Sequence, residues 1–143
     1  MRKYKKKEFV EKVGGTLTNL IWSWVTVNEV ERVAYFLAWR HRIDWKKKLY
    51  PMRDVPVPEA ELESEPLPVF YPHDDGRNGG AEWQSVLDRA LSGELEPRLA
   101  VCKAIDENAH PKEISHIAGF YFTGHIEPDG DALWFRIDDR QEI

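Results

Sequence analysis

The residues that could do chemistry are concentrated in two stretches that combine tryptophan with basic side chains. The first is Trp22-Ser23-Trp24, and the second covers residues 39–48. On a strand, Trp22 and Trp24 would face the same side about 7 Å apart, and a partner strand could bring Trp39 beside them. Aromatic rings stack on exposed bases for about 1–3 kcal/mol each, while Arg and Lys side chains bind phosphates. The predicted ligand-binding residues are therefore Trp22, Ser23, Trp24, Trp39, Arg40, Arg42, Trp45, Lys46, Lys47 and Lys48.

The tryptophans also have a purely structural interpretation. Large aromatic side chains dominate hydrophobic cores, so Trp22 and Trp24 would equally suit the buried face of a hairpin. Arg40, Arg42 and the run at 45–48 are harder to bury, and we expect them at the surface. The two interpretations differ in whether the rings line an open cavity or pack against one another.

Metal binding and nucleophilic catalysis have less support. No histidine lies in a ligand spacing such as His-Glu-x-x-His. Cys102 lies within an apolar run, which indicates a buried and unreactive thiol. We therefore expect no catalytic residue, metal or cofactor, and keep a small metal-dependent hydrolase using His73-Asp74-Asp75 as a third hypothesis. The remaining candidate metal ligands are His41, Asp44, His110, His116 and His125.

Charge is distributed unevenly along the 143-residue chain, whose net charge is −5. Residues 1–50 carry 12 basic and five acidic side chains, a net charge of +7, so residues 51–143 carry −12. A basic segment of this kind suits an anionic partner such as nucleic acid, because Lys and Arg neutralise phosphates and release counterions. The alternative is that the two segments attract each other within the fold, or that the basic residues form a solvated face.

Length and composition limit the class of protein. A chain of this size buries about 68–70% of its unfolded surface, so one core can form without disulfides. The longest uncharged stretch, residues 14–28, is shorter than the roughly 20 apolar residues that a spanning helix needs, so we expect no membrane partner. No apolar segment typical of a secretory signal follows the first residues, and the single cysteine fits a reducing compartment. We therefore expect a cytoplasmic location.

The elements that must position the candidate residues begin with a helix and a hairpin. Hydrophobic spacing predicts a helix over residues 2–13 that ends at Gly14-Gly15. Alternation of apolar side chains predicts strands at 19–27 and 32–41, joined by a polar turn at 28–31.

The rest of the chain begins with a proline-rich acidic stretch, residues 51–80, which we expect to be a loop excursion. An amphipathic helix is predicted at 81–92. Strands are predicted at 98–105, 113–117, 120–126 and 133–137, and the last two form a hairpin. The expected fold is a single α+β domain over 1–143. It is a small, mostly antiparallel curled sheet or barrel of five or six strands with two flanking helices.

Parts of the sequence resemble small bacterial domains that occur alone or beside nuclease domains in restriction-type proteins. The matching segments are residues 19–24, 33–39, 99–114 and 134–137. These domains are PUA-like or EVE-like β-barrels, whose relatives bind modified bases flipped out of a duplex. The resemblance covers about two-thirds of the chain and leaves out the excursion at 51–80 and the lysines at 46–48.

The resemblance implies a role in restriction or phage defence, with Trp22, Trp24 and Trp39 forming the base pocket and basic residues holding the strand. Our leading hypothesis is thus a nucleic-acid-binding module, for DNA rather than RNA, that reads a modified or unmodified base and does no chemistry itself. The second hypothesis is a protein–protein interaction module or homodimer without nucleic-acid binding.

Overall fold

The computed structural model describes residues 3–16, 24–53, 80–104, 114–129 and 132–143. The helices in these ranges are α1 (Lys6–Lys12), a 3-10 helix (Arg40–Arg42) and α2 (Gly80–Leu91). The strands are β1 (Lys3–Tyr4), β2 (Val25–Asn28), β3 (Val33–Trp39), β4 (Leu49–Arg53), β5 (Glu96–Ala104), β6 (Ile114–Asp129) and β7 (Ala132–Glu142).

All seven described strands belong to one sheet with the order β2-β3-β5-β6-β7-β4, and β1 lies beside the start of β6. Every pair is antiparallel except β3 with β5, which run parallel. The parallel pair follows from the long connection through β4 and α2, because a tight turn can join only antiparallel neighbours. Within the described ranges β2 and β4 do not pair, so the sheet is open at these edges.

The sheet is nevertheless strongly curled. In the strand order, β3 and β4 lie four steps apart, which would be about 19 Å in a flat sheet. The hydroxyl of Tyr50 on β4 still accepts a hydrogen bond from the backbone N–H of Trp39, at 3.4 Å. The sheet therefore curves far enough to bring its fourth strand against the end of its third.

Each face of the sheet is covered by one helix. On one face, Phe9 of α1 packs edge-to-face on Tyr35 with ring centroids 5.8 Å apart. On the other face, Trp83 of α2 packs on Phe36 at 4.9 Å and donates its indole N–H to the backbone oxygen of Met52, at 3.0 Å. These aromatic residues are fully or almost fully buried, so the core lies on both sides of β3.

Both predicted hairpins are confirmed. In the first, Val25 pairs with Phe36, and the Asn28 side chain accepts hydrogen bonds from the backbone N–H groups of Val30 and Glu31 at the turn. In the second, β6 and β7 pair antiparallel, with residues 130–131 outside the described residues. Alternation of apolar side chains therefore predicted these pairings correctly, although residues 19–23 of the first predicted strand also lie outside the described ranges.

Other boundaries differ from the prediction. The N-terminal helix covers Lys6–Lys12 rather than 2–13, because Lys3–Tyr4 pairs with β6 instead. The strands predicted at 113–117 and 120–126 are one strand, β6, and β4 was not predicted. The excursion expected at 51–80 overlaps β4 and α2 at its ends, and residues 54–79 lie outside the described residues.

Candidate nucleic-acid interface

Trp24 and Trp39, two of the three predicted pocket residues, lie together in the core. The first hairpin brings their ring centroids to 4.9 Å in an edge-to-face arrangement, as the sequence predicted. Only 5% and 2% of their surfaces are exposed, so both rings are packed in the core and neither presents a solvent-exposed face. Trp22 and Ser23 lie outside the described residues. Trp24 and Trp39 are therefore core residues, and their contact with a ligand stays a prediction.

The 3-10 helix after β3 carries both predicted arginines, but it exposes one and buries the other. Arg40 is exposed, as expected. Arg42 is only 6% exposed, so its prediction as a surface residue was wrong. The reason is the tight turn of this helix, which places Arg42 directly before buried Ile43 and three residues after buried Trp39. Arg40 alone of this pair remains accessible to a partner.

The predicted run at 45–48 forms a tight turn, which we call the lysine turn (residues 44–49). Its ends are joined by backbone hydrogen bonds of 2.9 and 3.2 Å between Asp44 and Leu49. The Asp44 carboxylate accepts a further bond from the backbone N–H of Lys47 at 3.0 Å, and Lys48 has a positive φ of 57°. The side chains of Lys46, Lys47 and Lys48 are all exposed, as predicted.

Trp45 is the exposed aromatic residue of this turn, with half of its surface (50%) accessible to solvent. Its ring packs edge-to-face on Phe122 at 5.8 Å, and Phe122 packs on Phe120 at 5.3 Å. The guanidinium of Arg140 lies over the Phe120 ring at 3.8 Å. Trp45 is thus held in place by a buried aromatic row while part of its ring remains free.

A second group of basic side chains converges at the start of β6. It consists of Lys3, Arg40, Lys103 and His116, which we call the basic cluster. Lys103 of β5 pairs directly with His116 of β6, and Lys3 pairs with Ala118 on the same strand. Trp39 of β3 pairs with Cys102 of β5. The next residues along the two strands are Arg40 and Lys103, so both follow at the same end of the sheet. Four separate segments therefore contribute one cation or imidazole each.

The electrostatic surroundings of His116 agree with this arrangement. Burial is the largest cause of the lowered pKa of His116, and the positive charges of Lys3, Lys103 and Arg40 lower that pKa further. The three cations are exposed and His116 is half-buried. The imidazole therefore remains neutral at neutral pH, within a region of positive potential.

The aromatic row extends from the lysine turn along β6 as far as Phe120. Phe120, the last ring of the row, lies two residues after Ala118, the register partner of Lys3. Residues of the same parity on a strand share a face, so Phe120, Phe122 and His116 lie on one side of β6. The lysine turn itself lies beside β7, where Leu49 pairs with Arg136, so the buried rings of Phe122 and Phe120 separate it from the basic cluster.

The other end of β6 combines two carboxylates with two basic side chains. His125 contacts Glu127 through Nε2 at 2.7 Å and Asp138 through Nδ1 at 3.2 Å. Hydrogen bonds to these two carboxylates, Glu127 first, raise the pKa of His125. Arg136 forms an ion pair with the same Glu127 at 2.9 Å. We call His125, Glu127, Arg136 and Asp138 the carboxylate end.

The described residues contain no group of three or more potential ligands that could hold a metal ion. At His125, the two carboxylates contact opposite nitrogens of the ring, so they do not converge on one point. Burial raises the pKa of Cys102 to about 12, as expected of an unreactive thiol. The proposed hydrolase residues His73, Asp74 and Asp75, and also His110, lie outside the described residues.

Sequence reasoning did not identify Lys3, Lys103 or His116 as parts of a binding surface. The sequence predicts a helix around Lys3 and a buried strand around Lys103, and it presents His116 only as a candidate metal ligand. Their proximity depends on the register of β5 and β1 against β6. Periodicity along the chain contains no information about register between distant strands.

Comparisons with protein-family models, curated proteins and solved structures found no match to this chain. None of the helices in the described ranges combines the length and apolar character needed to cross a bilayer. The resemblance to PUA-like and EVE-like domains therefore stays an expectation. What the structure shows is a curled, mostly antiparallel sheet with two helices.

Proposed function

We propose that the protein is a nucleic-acid-binding module whose basic cluster and lysine turn hold the phosphate backbone. The observation that supports this most is the convergence of Lys3, Arg40, Lys103 and His116 from four segments of the chain. Among the described residues, the charges that lower the pKa of His116 are those of Lys3, Lys103 and Arg40, although the protein as a whole has a net charge of −5. Such a local excess of cations favours a polyanion, because neutralised phosphates release condensed counterions.

In this proposal the side chain that stacks on a base is Trp45. Trp24 and Trp39 are buried against each other, so neither offers a ring face to a ligand. Trp45 is half exposed and is fixed from one side by Phe122. A ring held in this way loses little conformational entropy on stacking, and each base–aromatic stack contributes about 1–3 kcal/mol. Stacking requires an unpaired base, either in a single strand or flipped out of a duplex.

The proposal is tested by titrating a fluorescein-labelled (dT)12 and matched duplexes, with and without a modified base, at several salt concentrations. We expect the logarithm of the affinity to fall linearly with the logarithm of the salt concentration, with a slope of about −2 for three phosphate contacts on a single strand. Failure to bind at low salt would exclude the function.

Arg40→Gln and Arg32→Gln provide a matched pair for this titration, because the two arginines are exposed and flank opposite ends of β3. We expect Arg40→Gln to weaken binding about three- to tenfold and to reduce the magnitude of the salt slope by about 0.7–1. Arg32→Gln removes the same charge away from the basic cluster and is expected to change little. Equal effects of the two substitutions would indicate unspecific charge attraction rather than a defined surface.

Trp45→Ala and Trp45→Phe test the stacking role. We expect Trp45→Ala to weaken binding of (dT)12 about fivefold or more while it leaves the salt slope unchanged, and Trp45→Phe to retain most of the affinity. The salt slope reports phosphate contacts, so its constancy separates stacking from charge.

A second candidate function is a protein–protein interaction module. It is favoured by the burial of Trp24 and Trp39, because these rings do not line an open cavity. In this case the titrations show no salt-dependent binding of any nucleic acid. Size-exclusion chromatography with light scattering would instead show a homodimer or a co-purifying protein.

A further inference from the structure

His116 occupies an unusual position for a titratable side chain. It pairs across the sheet with Lys103 of β5. Two residues further along β6, Ala118 pairs with Lys3 of β1. The 3-10 helix contributes Arg40. Within β6, the hydroxyl of Ser115 lies 3.4 Å from Nδ1 of His116. Within the described residues, the charged groups that act on this imidazole are the cations of Lys3, Lys103 and Arg40, and the nearest carboxylate of β7 is Glu142, which pairs with Phe120.

Lys6 of α1 lies over the Trp24 ring, 5.5 Å from its centroid, and acts on Cys102, whose side chain faces the side of β5 opposite to Lys103. In the free protein, a proton on His116 is opposed by the positive charges of Lys3, Lys103 and Arg40. A phosphate bound among Lys3, Arg40 and Lys103 reverses that balance, because its negative charge favours the imidazolium.

We propose that His116 couples nucleic-acid binding at the basic cluster to proton uptake, so that the surface holds phosphate more tightly as the pH falls. The inference rests on the proposed function and adds its regulation by pH. By thermodynamic linkage, a phosphate that favours the protonated form of His116 is itself bound more tightly by that form. The free protein then acts as a weak binder at neutral pH and gains one cation on mild acidification.

The experiment measures binding of (dT)12 between about pH 5.5 and pH 8, at fixed ionic strength. Thymine does not titrate in this range, so the protons that are taken up belong to the protein. We expect the affinity of the unaltered protein to rise about three- to tenfold as the pH falls, since each unit of pKa change on binding corresponds to a factor of ten. Calorimetry near pH 6 in two buffers of different ionisation enthalpy should show net uptake of a fraction of a proton.

His116→Gln and His125→Gln are the matched variants, because they make the same substitution on the same strand. His116→Gln is expected to bind at about the pH 8 affinity throughout and to take up no proton, while His125→Gln keeps the full pH dependence. His116→Arg carries a permanent charge and should bind at pH 8 about as tightly as the unaltered protein at pH 5.5. An NMR titration of His116 in the unaltered protein, with and without (dT)12, should show a higher pKa in the complex.

The outcomes separate the inference from the proposed function. If (dT)12 binds and His116→Gln retains the pH dependence, the role of His116 is wrong while nucleic-acid binding stands. An unchanged pKa of His116 in the complex leads to the same conclusion and does not depend on any variant folding. If no oligonucleotide binds at any pH, both proposals are wrong.

Discussion

The long strand β6 carries two histidines in opposite electrostatic surroundings. His116 belongs to the basic cluster, where burial and three cations lower its pKa. His125 belongs to the carboxylate end, where hydrogen bonds to two carboxylates raise its pKa. The same residue type on the same strand is thus held neutral at one end and favoured as a cation at the other. The cross-strand neighbours, supplied by β5 and β1 in one case and β7 in the other, make the difference.

The distance between the two histidines keeps these surroundings independent. Nine residues of extended chain span at most about 30 Å, compared with a Debye length of about 8 Å at physiological salt. The carboxylate end therefore does not cancel the positive potential at the basic cluster. A net charge of −5 for the whole chain consequently says little about what either end can bind.

The largest expected effect comes from disrupting the strand that separates the two ends. Gly124 lies at an irregularity between β6 and β7, and a Cβ atom there would be 2.9 Å from the Phe135 ring and would clash with the backbone oxygen of Arg136. We expect Gly124→Ala to lower the free energy of unfolding by about 3 kcal/mol, as measured by urea denaturation.

Gly93→Ala is the control for this substitution. Gly93 has a positive φ of 86° but nothing within 4 Å of the added methyl group, so only backbone strain opposes the change. We expect a cost of about 1 kcal/mol. If the two substitutions cost the same, steric conflict at Gly124 is not the cause of its effect.

An intermediate effect is expected from exchanging the charges around each histidine. Lys103→Glu replaces the cation opposite His116 with a carboxylate, so the pKa of His116 should rise. Glu127→Gln removes the first carboxylate at His125, so the pKa of that residue should fall. Both values are measured by NMR titration of the imidazole Cε1 protons.

Lys12→Gln serves as the control for both titrations, because Lys12 is exposed on α1 outside either group. It should leave the two pKa values where they are. If Lys103→Glu leaves the pKa of His116 unchanged, burial alone sets it and the comparison of the two ends loses its electrostatic basis.

The smallest effect is the pH dependence of stability, which should have opposite signs at the two histidines. Because the pKa of His125 is raised by folding, its protonated form contributes stability that is fully present below about pH 6.5 and is lost as the pH rises through the folded pKa. Because the pKa of His116 is lowered, stability is lost there as the pH falls from about 6.5 through the folded pKa.

Urea denaturation at about pH 5.5 and pH 8.5 checks these signs. His125→Gln should reduce the stability more at the lower pH, by about 0.2–1 kcal/mol after allowance for solvent screening of this half-exposed side chain. His116→Gln should instead raise the stability slightly at the lower pH. A shift of the same sign in both variants contradicts the comparison.

Local sequence signals were sufficient for the elements that form between neighbouring residues. Apolar alternation predicted both hairpins, and helical spacing predicted α2, because each pattern is decided by a face that must be buried. The same reasoning brought Trp24 beside Trp39. The alternation could not predict whether Trp24 and Trp39 would be buried, because their burial depends on α1 and on the rest of the sheet.

The basic cluster depends on information that a single sequence does not contain. Lys103 meets His116 only because β6 has two more residues than β5 between the register pairs at Cys102 and Ala100. Short strands such as β1 and β4 have too few residues for a periodic pattern, so pairing with a distant strand decides their conformation. Arg42 shows the same limit, since a tight 3-10 turn determined its burial against the preference of its side chain for water.

The pairing of β1 with β6 also has a consequence for the order in which the protein is made. Lys3 leaves the ribosome before its register partner Ala118, which follows 115 residues later. Contacts over such a separation form late, because the intervening chain must first be synthesised and ordered. A nascent chain therefore carries the lysine-rich segment at residues 3–7 before the sheet around it has formed, and the basic cluster forms only when β6 has emerged.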